Sequence, residues 1–84
     1  MRYRSRTEII SQILETANGG GATKTKIMYN AFLSHGQLKQ YMTTLADKGL
    51  LRYDFLTQTF KTTEKGLRFI QLYNKMDDEM KPQI

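Results

Sequence analysis

At 84 residues and 9.8 kDa, the chain can build one small core and has nothing left for a separate catalytic domain. Its 39% hydrophobic and 25% charged residues, with a single Pro and no Cys, exclude a disordered or fibrous polymer, disulfide bracing and thiolate chemistry, so helix packing or self-association must supplement a thin core. Thirteen Lys and Arg against eight Asp and Glu give a net charge of +5 and a pI near 9.6, a balance that favours an anionic partner without naming it.

The first helix is predicted to start at Ser5, whose hydroxyl can cap the first turn while Glu8, three residues on, reaches back to complete a capping box. Ile9, Ile10, Ile13, Leu14 and Ala17 follow on one helical face, and Asn18 with Gly19-Gly20-Gly21 stops the helix and opens a flexible linker. Asn18 to Thr25 has the look of a phosphate-cradling P-loop. The spacing G-x-x-x-x-G-K-[ST] would need Gly where Asn18 and Thr23 stand, so the stretch reads as a helix-to-helix loop.

Thr23 is the expected cap of a short second helix that turns Ile27, Met28 and Ala31 inward, with Phe32 and Leu33 closing the turn that follows. The third helix is marked by Ser34 and Gln37 as a capping box and by Leu38, Tyr41, Met42 and Leu45 at i, i+3, i+4 and i+7; Lys48-Gly49 ends it. Its opposite face carries Gly36, Gln40, Thr43 and Asp47, with Lys39 and Thr44 at the margins. This face is mostly neutral and able to hydrogen-bond.

Leu50 to Phe55 and Thr59 to Thr62 have the apolar, aromatic and β-branched content of a hairpin with its tip near Leu56, Thr57 and Gln58. Thr63 caps a last helix that runs to about Met80, where Gly66 weakens the first turn. Leu67 and Ile70 suffice to cover the core. Phe69, Tyr73, Met76 and Met80 continue at spacings of 4, 3 and 4, the rhythm of a coiled-coil seam, and predict a dimer interface.

The expected fold is mainly α with a small β-hairpin: three helices, a wing and a long C-terminal helix, the layout of a winged helix-turn-helix. Residues 1–66 would form the binding core and residues 63–81 the core-packing and dimerising helix. This layout suits duplex DNA, because an α-helix fills the major groove while basic side chains hold phosphates. Residues 1–66 also hold ten Lys and Arg against five acids, whereas residues 67–84 hold three of each.

Four stretches carry a family resemblance: Thr25 to Ser34, Gln37 to Tyr41, Leu45 to Leu51, and Phe60 to Ile70. Together they resemble the small archaeal winged helix-turn-helix proteins described as predicted transcriptional regulators, including the dimeric ten-kilodalton archaeal DNA-binding proteins. The resemblance covers roughly residues 5–76 and implies a cytoplasmic, nucleoid-associated homodimer that binds double-stranded DNA and regulates transcription. It makes the third helix the reader, with Gln37, Lys39, Gln40, Thr43 and Thr44 as candidates. Gln40 leads, since an amide can pair with adenine in two places.

His35 at the helix start could meet a phosphate or a base edge. Arg52 and Lys61 on the hairpin would meet phosphate or minor groove, and Lys24 and Lys26 the backbone. Arg2, Arg4 and Arg6 suggest a basic arm. A protein-protein interaction module within a larger archaeal assembly is the alternative, since the fold does not dictate the partner; such a module would show an apolar patch on the third helix.

No enzyme is expected. One His and no Cys leave no metal cluster or zinc-finger pattern, and Asp77-Asp78-Glu79 are adjacent on a helix and point different ways. No cofactor or small-molecule ligand is implied. Neither a membrane-spanning run of ~20 apolar residues nor an apolar secretory stretch after Met1 is present, so a soluble protein with no membrane partner is expected.

Overall fold

The computed structural model describes residues 4–80, with side chains as far as residue 76. In chain order it has α1 (Arg6–Ala17), α2 (Lys24–Asn30), α3 (His35–Asp47), β1 (Leu51–Asp54), β2 (Thr59–Thr62) and α4 (Glu64–Met80). Each of the first three helices begins where a hydroxyl takes up an otherwise orphaned backbone N–H. Ser5 accepts from Glu8 N–H at 3.0 Å, Thr23 from Lys26 N–H at 3.2 Å, and Ser34 from Gln37 N–H at 3.3 Å. Only α3 has the full capping box, in which the Gln37 side chain accepts the Ser34 N–H at 3.1 Å. At α1 the reciprocal bond from Glu8 is not made.

The inward faces follow the helical spacing read from the sequence. Ile13, Leu14, Ile27, Leu38 and Leu45 are fully buried, joined by Ala17, Ala31, Leu33, Met42, Leu50, Leu51 and Ile70, with Ile9, Ile10, Met28, Tyr41, Phe60 and Phe69 packed at the periphery. The hairpin pairs Leu51 with Thr62, Arg52 with Lys61, Tyr53 with Phe60 and Asp54 with Thr59. Because alternate strand residues share a face, Leu51, Tyr53 and Phe60 lie on the core side and Arg52, Asp54 and Lys61 on the other.

Two features were not anticipated. The linker between α1 and α2 is not loose along its whole length: Ala22 forms a β-bridge with Phe60, donating to and accepting from it at 2.9 and 2.8 Å. This one-residue bridge lies on the free edge of β2. A Cβ at Gly21 would lie 2.8 Å from Thr59 Oγ1, so glycine there permits the approach as well as the positive φ.

The second feature is Gly66, which fastens α4 to the hairpin. A Cβ at this position would overlap the Leu50 carbonyl oxygen and come within 2.7 Å of Thr62 Cγ2. What reads locally as a weak helix start is a close approach of two backbones. Around it, Thr63 donates its hydroxyl to Gly49 O at 2.7 Å and accepts Gly66 N–H at 3.1 Å, and Thr62 donates to Leu14 O at 2.6 Å.

Candidate nucleic-acid interface

The turn between α2 and α3 fixes the direction in which α3 presents its outer face. Phe32 in this turn has φ +53, a left-handed conformation uncommon for a bulky residue. Arg4 spans the same turn, its guanidinium donating to Ala31 O, to Phe32 O and to Gln12 Oε1 and lying 5.9 Å from the Phe32 ring centroid. Arg4 thus ties the lead-in of α1 to the turn and is not part of a loose arm. Arg2 lies outside the described residues.

On α3 the buried Leu38, Met42 and Leu45 hold the helix against the core, which leaves His35, Gly36, Gln37, Lys39, Gln40, Thr43 and Asp47 exposed and Thr44 half-buried. These residues differ in freedom. Gln37 Oε1 accepts from the Ser34 backbone and hydroxyl at 3.1 and 3.2 Å, so only its amide Nε2 remains to meet a ligand. The side chain of Gln40 makes no hydrogen bond within the described residues, and Thr44 donates its hydroxyl to Gln40 O at 3.0 Å. Gln40 is therefore the face's free bidentate group.

Arg6 stands in the first turn of α1 and borders this face; it is not part of a basic arm. Its guanidinium lies 6.0 Å from the Tyr41 ring centroid. It borders a recess of about 240 Å³ together with Gln37, Gln40, Tyr41 and Thr44, and a shallower neighbouring one with Lys39, Gln40, Thr43 and Thr44. Only the packing of α1 on α2, β2 and α4 brings its first turn beside α3, which no local pattern encodes.

The remaining basic residues are placed unequally. Lys24 and Lys26 are exposed at the start of α2, and Arg52 is exposed on β1. Lys61 pairs with Asp54 at 3.0 Å across the hairpin. That contact, followed by the Leu56 N–H bonded to Asp54 Oδ1 at 2.9 Å, holds the Asp54 carboxyl below the usual range. Lys61 consequently presents less net charge to a partner than Arg52 does.

Beyond them, the wing tip carries Phe55 and Leu56 at 85% and 97% exposure, with Tyr53 edge-on to Phe55 at 5.0 Å and tilted on Phe60 at 4.8 Å. On α4, Phe69 packs on the core, Tyr73 is half-buried, and Leu72 and Met76 are more than half exposed. Leu72, three residues after Phe69 and four before Met76, borders the same stripe and was not among the residues the sequence reading assigned to it. The side chain of Met80 is outside those described. Among the described residues no group of three or more His, Cys, Asp or Glu could hold a metal ion, and no helix is long and apolar enough to cross a membrane.

A capped helix following a tight turn, its polar face outward and a two-stranded wing behind it, defines the winged helix-turn-helix class. The family model described as winged helix-turn-helix matches residues 3–81, and the chain belongs to that family. Among solved structures it is similar to the crystal structure of Sso10a-2, a DNA-binding protein from Sulfolobus solfataricus. The TM-score is 0.69 at 20% identity, covering 95% of this chain and all of that one. This likeness is one of fold. No curated protein matches the sequence.

Proposed function

We propose that the protein binds duplex DNA and regulates transcription as a homodimer, with α3 in the major groove and the hairpin on the backbone or minor groove. The observation that carries this reading is the outer face of α3. It is exposed at Gln40 and Thr43 and half-buried at Thr44, neutral and hydrogen-bonding at all three, and is bordered by cations at Arg6 and Lys39 that have no ion-pair partner among the described residues. Amides and hydroxyls at the centre suit base edges, and cations at the margin suit phosphates. Family membership and the fold shared with a DNA-binding protein support the same reading.

In this scheme residues 1–66 are the binding core and residues 63–81 the helix that packs on it and dimerises. Gln40 reads a base, Gln37, Thr43 and Thr44 support it, and Lys24, Lys26, Lys39 and Arg52 hold phosphates. His35 contacts the backbone at the helix start, and Lys61, held by Asp54, makes a weaker phosphate contact on the wing than Arg52 does. Leu72, Tyr73 and Met76 provide the apolar stripe for a second copy, with Met80 extending it. Two α3 helices about 34 Å apart would meet successive major grooves.

The exposed Phe55 and Leu56 favour a second reading, a module that docks on another protein through its wing tip. Titration of a fluorescent random duplex at several salt concentrations, with mass read by light scattering, separates the two. DNA binding predicts submicromolar affinity at low salt that falls steeply as salt rises, on a particle of twice the chain mass. Absence of binding at low salt would remove the DNA reading.

A further inference from the structure

The recess between the first turn of α1 and α3 has a chemistry of its own. Its border is one guanidinium (Arg6), two carboxamides (Gln37 and Gln40), a phenol (Tyr41) and a hydroxyl (Thr44), with no carboxylate. Arg6 makes no salt bridge or hydrogen bond among the described residues; it rests near the Tyr41 ring with its N–H donors unspent. Gln37 has committed its oxygen to the Ser34 cap, so Nε2 is what it can offer. Arg4, two residues earlier, bonds the lead-in of α1 to the α2–α3 turn and so fixes where Arg6 stands relative to α3.

We infer that this recess is an oxyanion site that takes a backbone phosphate of the duplex, Arg6 supplying the charge and Gln37 Nε2 a neutral donor. The inference rests on the reading of α3 as the groove element. A guanidinium matches a phosphate by two parallel N–H bonds and is less strongly hydrated than an ammonium, so this residue sets register in a way a lysine would not. Two neighbouring arginines thereby have different tasks: Arg4 holds the turn, whereas Arg6 clamps the phosphate strand beside α3 and sets how deeply Gln40 can reach.

The test compares the unaltered protein with Arg6→Gln, Arg6→Lys and, as a charge control on the far part of α4, Lys75→Gln. Duplex affinity is measured at several salt concentrations. Arg6→Gln is expected to lower affinity by about tenfold or more and to reduce the salt slope by about one. Arg6→Lys should restore the slope but only part of the affinity. The circular dichroism spectrum and thermal midpoint of each variant establish that it is folded.

A second arm follows the Arg6 Nε–H resonance while inorganic phosphate is added. Duplex binding in which Arg6→Gln changes affinity and slope no more than Lys75→Gln would overturn the clamp and leave the role of α3 standing. No duplex binding by the unaltered protein, with a saturable Arg6 shift in phosphate, would replace the clamp by a site for a free oxyanion. Failure of both arms would overturn the site together with the reading it rests on.

Discussion

Replacing Gly66 by Ala measures how tightly the last helix is fastened to the wing, and it sets two physical effects against each other. Within a helix Ala gains about 0.8–1 kcal/mol over Gly, so propensity alone predicts a more stable protein. The surroundings reverse the sign, because the new Cβ would overlap Leu50 O and come within 2.7 Å of Thr62 Cγ2. Neither neighbour is free to retreat. Leu50 O accepts Thr63 N–H at 3.1 Å, and Thr62 donates its hydroxyl to Leu14 O at 2.6 Å.

Relief must come from lifting α4 off the entry to β1, which loosens Phe69 and Ile70 from the core. Overpacking of this kind costs about 1–3 kcal/mol, and a backbone obstacle belongs at the upper end. Subtracting the propensity gain leaves a net loss of about 1–2 kcal/mol, or roughly 4–16 °C in midpoint for a domain of this size. Thermal unfolding followed by circular dichroism at one fixed protein concentration reads it, since self-association makes the midpoint concentration-dependent. Gly36→Ala is the control, because a Cβ there meets nothing within 4 Å; its midpoint should hold or rise. A Gly66→Ala protein as stable as the parent would refute the close approach of α4 and the hairpin.

Gln40→Ala should erode discrimination between DNA sites more than total affinity, whereas Lys39→Ala should weaken binding to all sequences and lower the salt slope by about one; equal effects on both quantities would undo this division of roles. Asp54 titrates below its unfolded value, so its pairing with Lys61 contributes fully above the usual carboxylate pKa near 4 and is lost as pH falls through the folded value. Amide resonances of the wing should accordingly shift in acid only below about pH 4, and Asp54→Asn should abolish that step. Leu72→Glu with Met76→Glu should give monomers by sedimentation while the far-ultraviolet spectrum of the fold is retained; dimers of unchanged stability would place the interface elsewhere.

What could be read from the sequence was what local chemistry encodes. The Ser34–Gln37 box lies within four residues and the Leu38, Met42, Leu45 spacing within three turns, so α3 and the direction of its polar face were legible without tertiary information. The hairpin strands followed from composition, but their register did not. That register makes Asp54 the diagonal neighbour of Lys61, and so explains why a lysine expected to meet phosphate is largely occupied within the protein.

Ala22 carries no strand pattern of its own; it pairs because β2 has an open edge nearby. Gly66 looked like a flaw in a helix because propensity is local, whereas its reason is the Leu50 carbonyl sixteen residues earlier. Arg4 and Arg6 read alike in sequence as parts of an arm. The docking of α1 against the α2–α3 turn separates them, sending one into hydrogen bonds with Ala31 and Phe32 and the other to the face of α3.

Contact between the outer face of α3 and the duplex is read by titrating isotope-labelled protein with a short duplex at low salt and mapping the amide and side-chain shifts. Changes are expected to concentrate at residues 35–44, including the Gln40 carboxamide, with further changes at Arg6, Lys24, Lys26 and Arg52. Shifts confined to Phe55 and Leu56 or to α4, with α3 unmoved, would contradict it.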